Sequence, residues 1–91
     1  MYSMKRILVL EDEDSIREFV VLNLKRSGYE VVEVSTGEAA IDAFSKDPEG
    51  FDCALLDIML PGIDGFEVCR RLRQKSEKLG IIMLSAKSQE M

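Results

Sequence analysis

Short apolar runs alternate along the chain with longer segments whose apolar residues recur at helical spacing. The runs are continuous, as in strands that are covered on both faces of a parallel sheet. They predict four strands, at residues 5–10, 30–34, 51–57 and 80–84. The intervening segments predict three helices, at residues 14–27, 36–46 and 64–74. Strands that alternate with helices in this way indicate βαβ units, a parallel sheet and right-handed crossovers.

Capping and breaking residues support these boundaries. Asp14 or Ser15 is the expected N-cap of the first helix, and Gly28 is its expected stop. Thr36 is the expected N-cap of the second helix, and residues 47–50 are expected to end that helix before the third strand. The side chains expected to face the core are Ile16, Val20 and Leu24 from the first helix, Ala40, Ile41 and Phe44 from the second, and Phe66, Val68 or Cys69, and Leu72 from the third.

Carboxylates stand where two of the predicted strands end. Glu11 and Asp12 follow the first strand, and Asp57 closes the third. Ligands of open α/β sheets bind outside the carboxyl ends of the strands, so Asp57 is the expected chemical centre. If the two strands are neighbours, the three carboxylates repel one another unless a cation lies among them. Ligands that are all oxygen favour a hard ion such as Mg²⁺.

Structural roles stay open for the same edge of the sheet. Glu11 and Asp12 could instead cap the first helix, whose N-terminus favours negative charge, and the two roles are compatible. Ser85 follows the fourth strand at the equivalent position. Its hydroxyl could donate a hydrogen bond to a phosphoryl oxygen on Asp57, or it could serve as the N-cap of a further helix.

Composition and charge narrow the class of protein. The 91 residues fit one domain, and an apolar share of 46% is normal for a globular chain. The net charge of −5 argues against direct binding to nucleic acid or to anionic membranes. No signal peptide is recognisable, and no apolar run approaches the roughly 20 residues that span a bilayer. These features predict a cytoplasmic protein.

Histidine and cysteine usage excludes further classes of site. The chain contains no histidine, which rules out His-dependent triads and zinc sites of the usual spacing. Its two cysteines, Cys53 and Cys69, lie in a predicted strand and a predicted helix. They are expected to be buried free thiols rather than a disulfide.

Three motifs together resemble the receiver domain of bacterial two-component response regulators. They are Leu10-Glu11-Asp12-Glu13, the segment LLDIMLPGIDG at residues 55–65, and Met83-Leu84-Ser85-Ala86-Lys87. They occur in the family's order and span nearly the whole chain. The resemblance implies a flavodoxin-like, three-layer α/β fold with an open parallel sheet, whose strand order is 2-1-3-4-5 in the full domain.

The resemblance also implies a phosphoacceptor site at Asp57. This residue would take a phosphoryl group from a sensor histidine kinase in a Mg²⁺-dependent or Mn²⁺-dependent reaction that the receiver itself catalyses. The domain would then be a phosphorylation-controlled switch and not an enzyme with a separate substrate. The metal contacts implied are Glu11, Asp12, Asp57 and the backbone carbonyl of Met59. Ser85 would be the switch hydroxyl, and Pro61 and Gly62 would shape the site loop.

Two further sets of residues follow from the resemblance. Met59 and Lys87, two residues after Asp57 and Ser85, flank the route of a hydrolytic water in a receiver and are expected to slow dephosphorylation. The first helix docks on the kinase in this family, and its second stripe is the expected docking surface. That stripe consists of Phe19, Leu22, Asn23 and Arg26. Phe19 could instead pack under a final helix or against the acidic loop.

One family feature lies outside the 91 residues. Receivers carry a phosphoryl-binding lysine on a fifth strand, and Lys87 does not replace it because it lies in the loop after the fourth. Residues 1–91 are therefore expected to be a receiver without its last helix-strand-helix portion and without an effector domain. The alternative function is an inactive or self-associating receiver fragment, a structural module without competent phosphotransfer. An uncovered strand at residues 80–84 predicts self-association through that edge.

Two other classes of protein share the predicted architecture. A flavodoxin-type nucleotide or flavin module needs a phosphate-cradling loop after the first strand, and here that loop is acidic. A haloacid-dehalogenase-type phosphatase expects a second aspartate two residues after its nucleophile, where this chain has Met59. Both classes are therefore disfavoured.

Overall fold

The chain folds as a parallel four-stranded sheet between two layers of helix. The computed structural model describes residues 4–84. The elements in chain order are β1 Arg6–Leu10, α1 Asp14–Arg26, β2 Glu30–Val34, α2 Gly37–Lys46, β3 Cys53–Asp57, α3 Gly65–Lys75 and β4 Gly80–Leu84. The strands lie in the order β2-β1-β3-β4, and every pair is parallel. The predicted elements, the parallel sheet and the order 2-1-3-4 are confirmed.

Alternate side chains of the two central strands face different cores. Leu8 and Leu10 of β1, together with Ala54 and Leu56 of β3, pack into the larger core beneath α2 and α3. The intervening side chains of β1, Ile7 and Val9, pack on the opposite face against Val21 of α1. Successive side chains of a strand point to opposite faces, and both faces are covered here. This explains why the strands are continuous apolar runs.

The beginnings of α2 and α3 follow their sequence signals. Thr36 Oγ1 accepts a hydrogen bond from the backbone N–H of Ala39 at 3.0 Å, so the predicted cap of α2 is confirmed. Asp64 Oδ1 accepts one from the N–H of Glu67 at 2.9 Å and caps α3. Within residues 4–84, no helix combines the length and the apolar character that crossing a membrane requires.

The start of α1 differs from the prediction. The N-cap is Glu13, whose side chain makes no capping hydrogen bond, and neither Asp14 nor Ser15 has that role. The backbone N–H of Glu13 instead donates to the Glu11 carboxylate at 3.0 Å. The acidic loop therefore sets the first turn. The end is as predicted, because Gly28 adopts a φ of +95°, which favours glycine, just beyond the helix.

The predicted burial is confirmed for α2, largely confirmed for α1, and wrong at one residue of α3. In α1 the predicted residues Ile16, Val20 and Leu24 are half-buried, with Val20 and Leu24 packed against the core, and Val21 is the most buried side chain. Phe66 of α3 was predicted to face the core and is 61% exposed. Val68 and Leu72 face the core as predicted, and Phe66 lies about 200° of helix rotation from Val68.

Both cysteines are free thiols, as predicted, but Cys53 and Cys69 are half-buried and not fully buried. Burial raises the pKa of the Cys53 thiol, which keeps the neutral form in the folded protein.

β4 is hydrogen-bonded to β3 alone within the part of the chain that the structure describes. Its Ile82 side chain is 53% exposed. Exposed apolar strands can pair with another chain, so self-association through this edge stays a prediction.

Candidate functional site

Three carboxylates meet at the carboxyl edge of the two central strands. Glu11 and Asp12 follow β1 directly, and Asp57 is the last residue of β3. Because Leu10 lies opposite Leu56 in the parallel pair, the residues after them emerge side by side. Among residues 4–84, Glu11, Asp12 and Asp57 each offer one oxygen, and these oxygens lie within 4.8 Å of one another.

Negative charge is energetically costly in this cluster because two of its carboxylates are buried. Glu11 is 2% exposed and Asp57 is 1% exposed, whereas Asp12 is half-buried. Ionised carboxylates that are close together and shielded from water are unfavourable unless positive charge compensates them. Mg²⁺ commonly binds through one or two carboxylates, with waters and phosphate oxygens filling its other positions. Mn²⁺ prefers the same oxygen ligands, so the donor set fits either ion.

Glu11 also organises the backbone around the start of α1. Its Oε2 accepts a hydrogen bond from the N–H of Glu13, the N-cap residue, at 3.0 Å. Its own N–H donates to the carbonyl of Val34, at the end of β2, at 3.2 Å. The alternative role of Glu11 at the start of the helix is therefore present in part. It remains compatible with metal binding, because a carboxylate has about four acceptor sites.

An arginine holds the acidic loop from the side of α1. The side chain of Arg17 is 15% exposed. Its guanidinium donates hydrogen bonds to three oxygens. They are the backbone carbonyl of Glu11 at 2.8 Å, Asp14 Oδ1 at 2.7 Å and Glu33 Oε1 at 3.2 Å. The hydrogen bond to Asp14 is the largest cause of the raised pKa of Arg17. Sequence reasoning missed Arg17, whose only signal was a single arginine one turn after the acidic run.

The loop after β3 returns to Asp57 at two points. The backbone N–H of Met59 donates to Asp57 Oδ1 at 3.3 Å. Gly62 adopts a φ of +76°, so the predicted turn at Pro61 and Gly62 has the left-handed residue that it requires. Gly65, the first residue of α3, lies so close to β3 that a Cβ there would overlap the carbonyl oxygen of Asp57. This glycine was not recognised from sequence.

The remaining site residues predicted from sequence are Met59, in the loop directly after Asp57, and two residues outside the described part of the chain. Met59 is 54% exposed and borders a cleft that Phe66 also lines. The part of the Met59 carbonyl in metal binding stays a prediction. Ser85 and Lys87 lie outside residues 4–84.

The predicted docking stripe lies on the exposed face of α1. Phe19 is 68% exposed and Leu22 is 50% exposed, and Asn23 and Arg26 are exposed as well. Asn23 Nδ2 donates to the carbonyl of Phe19 at 2.8 Å, one turn back along the helix. The exposure of Phe19 argues against the alternative in which it packs on the acidic loop.

Comparison with known proteins identifies the family. Residues 7–91 match the family model of the response regulator receiver domain. The chain belongs to this family. Receiver domains are signalling modules, which agrees with the prediction that the chain is not an enzyme acting on a separate substrate.

A transcriptional regulator is among the relatives of this receiver. It is 46% identical over 86 residues to the alkaline phosphatase synthesis transcriptional regulatory protein PhoP of Bacillus subtilis. The match covers 94% of this chain and 35% of PhoP. The chain thus spans about a third of the length of the curated relatives that it matches.

Two solved structures of one response regulator are similar to this receiver. TrrA of Thermotoga maritima, in complex with Mg²⁺-BeF, has a TM-score of 0.85 and 42% identity over 93% of this chain and 72% of that chain. TrrA in complex with the histidine kinase ThkA has a TM-score of 0.82 and 40% identity. That match covers 97% of this chain and 77% of that chain.

Proposed function

We propose that this receiver accepts a phosphoryl group from a sensor histidine kinase onto Asp57, with a divalent cation held by Glu11, Asp12 and Asp57. The observation that carries the proposal is the cluster of three carboxylate oxygens within 4.8 Å at the end of β1 and β3. The related TrrA has been crystallised with Mg²⁺ and beryllofluoride, an anion that mimics a phosphoryl group. The proposal includes the backbone carbonyl of Met59 as a further metal contact.

The chain's own residues would supply and position the nucleophile. A carboxylate oxygen of Asp57 bonds to phosphorus as the bond from phosphorus to the histidine nitrogen of the kinase breaks, and the imidazole leaves with the electron pair. The N–H of Met59 orients the attacking carboxylate through its hydrogen bond to Oδ1. A bound cation supplies positive charge that neutralises the oxygens of the group in transfer. Catalysis is then mainly a matter of positioning and electrostatics.

Beryllofluoride binding tests this function. We expect beryllofluoride and Mg²⁺ together to raise the melting temperature, whereas either one alone has a much smaller effect. A ligand at about 100 times its dissociation constant stabilises the folded state by about 2.7 kcal/mol. Asp12→Asn removes one metal ligand and is expected to reduce the shift strongly. Asp42→Asn, which alters an exposed carboxylate paired with Lys46 on α2, is the matched control and should keep it.

Two results would contradict the proposal. One is a wild-type protein without any Mg²⁺-dependent response to beryllofluoride, which would favour the alternative of a receiver without phosphotransfer. The other is an equal loss of the shift in Asp12→Asn and Asp42→Asn, because the effect would then not depend on the cluster.

We also propose that the exposed stripe of α1 contacts the kinase. Phe19 is more than half exposed and Leu22 is about half exposed. Large apolar side chains exposed in this way are common at the centre of interfaces. The complex of TrrA with ThkA supports a histidine kinase as the partner. Amphipathic helices that dock on helical partners use this i, i+3, i+4, i+7 spacing.

Replacing part of this stripe should affect phosphorylation by the kinase but not phosphorylation by a small-molecule donor. We expect the double change Leu22→Ala and Asn23→Ala to slow phosphotransfer from the cognate kinase about tenfold, a loss of about 1.4 kcal/mol, because docking contacts are removed. Phosphorylation by acetyl phosphate should be unchanged, because this small donor needs no docking surface. Rates are measured by intact mass. Ile82→Ala, at a similarly exposed aliphatic residue of β4, is the control and should react normally with both donors. Equal loss with both donors in the double variant would contradict the docking role.

A further inference from the structure

We propose that Arg17 is a positioning residue of the metal centre, which fixes the peptide between Glu11 and Asp12 and thereby sets the affinity for the divalent cation. The inference rests on the proposed function, which assigns a cation to the carboxylate cluster. It adds a residue that is not itself a metal ligand.

Arg17 joins three separate segments of the fold through one planar group. Its guanidinium donates to a backbone carbonyl of the β1–α1 loop, to the first turn of α1 and to a side chain of β2. The donors of an arginine have fixed relative directions, so three acceptors held at once leave the group little freedom. The Arg17 side chain is 15% exposed, and its hydrogen bond to the Glu11 carbonyl is partly buried, whereas the bonds to Asp14 and Glu33 are open to solvent.

Of the three contacts of Arg17, the hydrogen bond to the Glu11 carbonyl is the one that involves a residue of the carboxylate cluster. This carbonyl belongs to the peptide that links Glu11 to Asp12, and a peptide unit is planar. Holding its oxygen at 2.8 Å from Arg17 Nη1 therefore fixes the plane that also contains the nitrogen and Cα of Asp12. The N–H of Glu11 is held independently by the carbonyl of Val34. Both sides of Glu11 are thus held, and the position of the Asp12 Cα, from which the metal-binding side chain departs, is held with them.

Charge and position predict opposite effects when Arg17 is removed. As a positive charge beside a cation site, Arg17 repels the metal, and it also neutralises Asp14 and Glu33. On charge alone, its removal should tighten metal binding. As a positioning residue, it keeps the carboxylates preorganised, so its removal should weaken metal binding. The sign of the change in affinity therefore distinguishes the two roles.

The test uses Arg17→Met, which keeps the aliphatic stem, and Arg17→Lys, which keeps the charge but not the planar fork. Mn²⁺ is the probe, and its affinity is measured from the electron paramagnetic resonance signal of the free ion. We expect Arg17→Met to bind Mn²⁺ about tenfold more weakly or worse, as is typical when a group that orients a metal ligand is lost. Arg17→Lys should lie closer to Arg17→Met than to wild type. The Mg²⁺-dependent increase in the urea midpoint should shrink in parallel.

Arg6→Met is the matched control, because it makes the same chemical change at the opposite end of β1. There the Arg6 guanidinium bonds to Asp47 Oδ2 at 2.9 Å and lies 4.6 Å from the centre of the Phe51 ring. This variant should lose stability and keep its Mn²⁺ affinity.

Three outcomes would overturn the inference. The first is unchanged or tighter Mn²⁺ binding in Arg17→Met. The second is wild-type affinity in Arg17→Lys, because the three simultaneous hydrogen bonds of the planar group would then not be needed. The third is equal weakening in Arg6→Met, because the effect would then follow from general destabilisation. A wild-type protein that fails to bind Mn²⁺ would instead overturn the proposed function on which the inference rests.

Discussion

We expect Asp57→Asn to abolish phosphoryl acceptance and, in metal-free buffer, to raise the free energy of unfolding. Asparagine has nearly the same shape and keeps an oxygen that can accept the hydrogen bond from the N–H of Met59. It lacks the anionic oxygen that forms an acyl phosphate. It also removes one of three carboxylates whose oxygens lie within 4.8 Å of one another. At that separation and an effective dielectric constant of about 20, the repulsion of one pair is about 3.5 kcal/mol; the favourable interactions of Asp57 offset part of it, so a gain on the order of 1 to 3 kcal/mol is expected.

Intact mass after incubation with acetyl phosphate and Mg²⁺ measures acceptance, and urea unfolding in EDTA measures stability. Asp52→Asn is the matched control, because Asp52 precedes β3 at its other end and accepts a hydrogen bond from the backbone N–H of Arg6 at 2.8 Å. It should keep acceptance and lose a little stability, which is the reverse of the result for Asp57. A phosphorylated Asp57→Asn protein would place the acceptor elsewhere. A loss of stability in Asp57→Asn would show that the favourable interactions of Asp57 outweigh the repulsion among the carboxylates.

We expect Gly65→Ala to have the largest effect on stability of the changes considered, and to impair acceptance as well. A Cβ at this position would overlap the carbonyl oxygen of Asp57 and lie 2.9 Å from the Cα of Ile58. Both obstacles are backbone atoms, so no side-chain rotation relieves the clash. Overpacking usually lowers the free energy of unfolding by about 1–3 kcal/mol, and a clash with backbone on a central strand belongs at or above the upper end of that range. Relief would require α3 to move away from Asp57.

Gly80→Ala is the matched control for this change. At Gly80, the nearest atom to a built Cβ is the carbonyl oxygen of Asp52 at 3.4 Å, which is an ordinary contact. Its free energy of unfolding should change by no more than about 0.5 kcal/mol. Urea unfolding compares the two variants, and acetyl phosphate measures acceptance in each. Equal stability of the two variants would contradict the importance of the close approach at Gly65.

Local patterns predicted most of the fold and the clustering of the three carboxylates. The continuous apolar runs gave β1 to β4 because both faces of the sheet are covered. Their alternation with helices gave a parallel sheet, whose carboxyl ends necessarily share one edge. Once β1 and β3 are neighbours, Glu11, Asp12 and Asp57 must lie together, and the structure brings them together. These inferences depend on periodicity and topology, and both can be read from the chain alone.

The errors concern contacts that only tertiary packing determines. Whether Phe66 is buried or exposed depends on which side of α3 meets the sheet. The amphipathic pattern of that helix is compatible with either position of Phe66. The role of Arg17 depends on reaching Glu33, which is distant in sequence and belongs to β2. The need for glycine at position 65 arises from its close approach to the backbone of Asp57, and local secondary-structure propensity does not indicate it. Loop geometry and long-range polar contacts are therefore where sequence reasoning ends.

The loop between β3 and α3 forms a closed ring that begins and ends beside the acceptor. The N–H of Gly65 donates to the carbonyl of Ile58 at 3.2 Å, and the N–H of Met59 is hydrogen-bonded to Asp57 itself. A short chain joined at both ends has little conformational freedom to absorb a disturbance. A chemical change on the Asp57 side chain would therefore reach the first residue of α3 through only two hydrogen bonds, which makes the start of this helix the part of the fold most directly coupled to the charge of the acceptor.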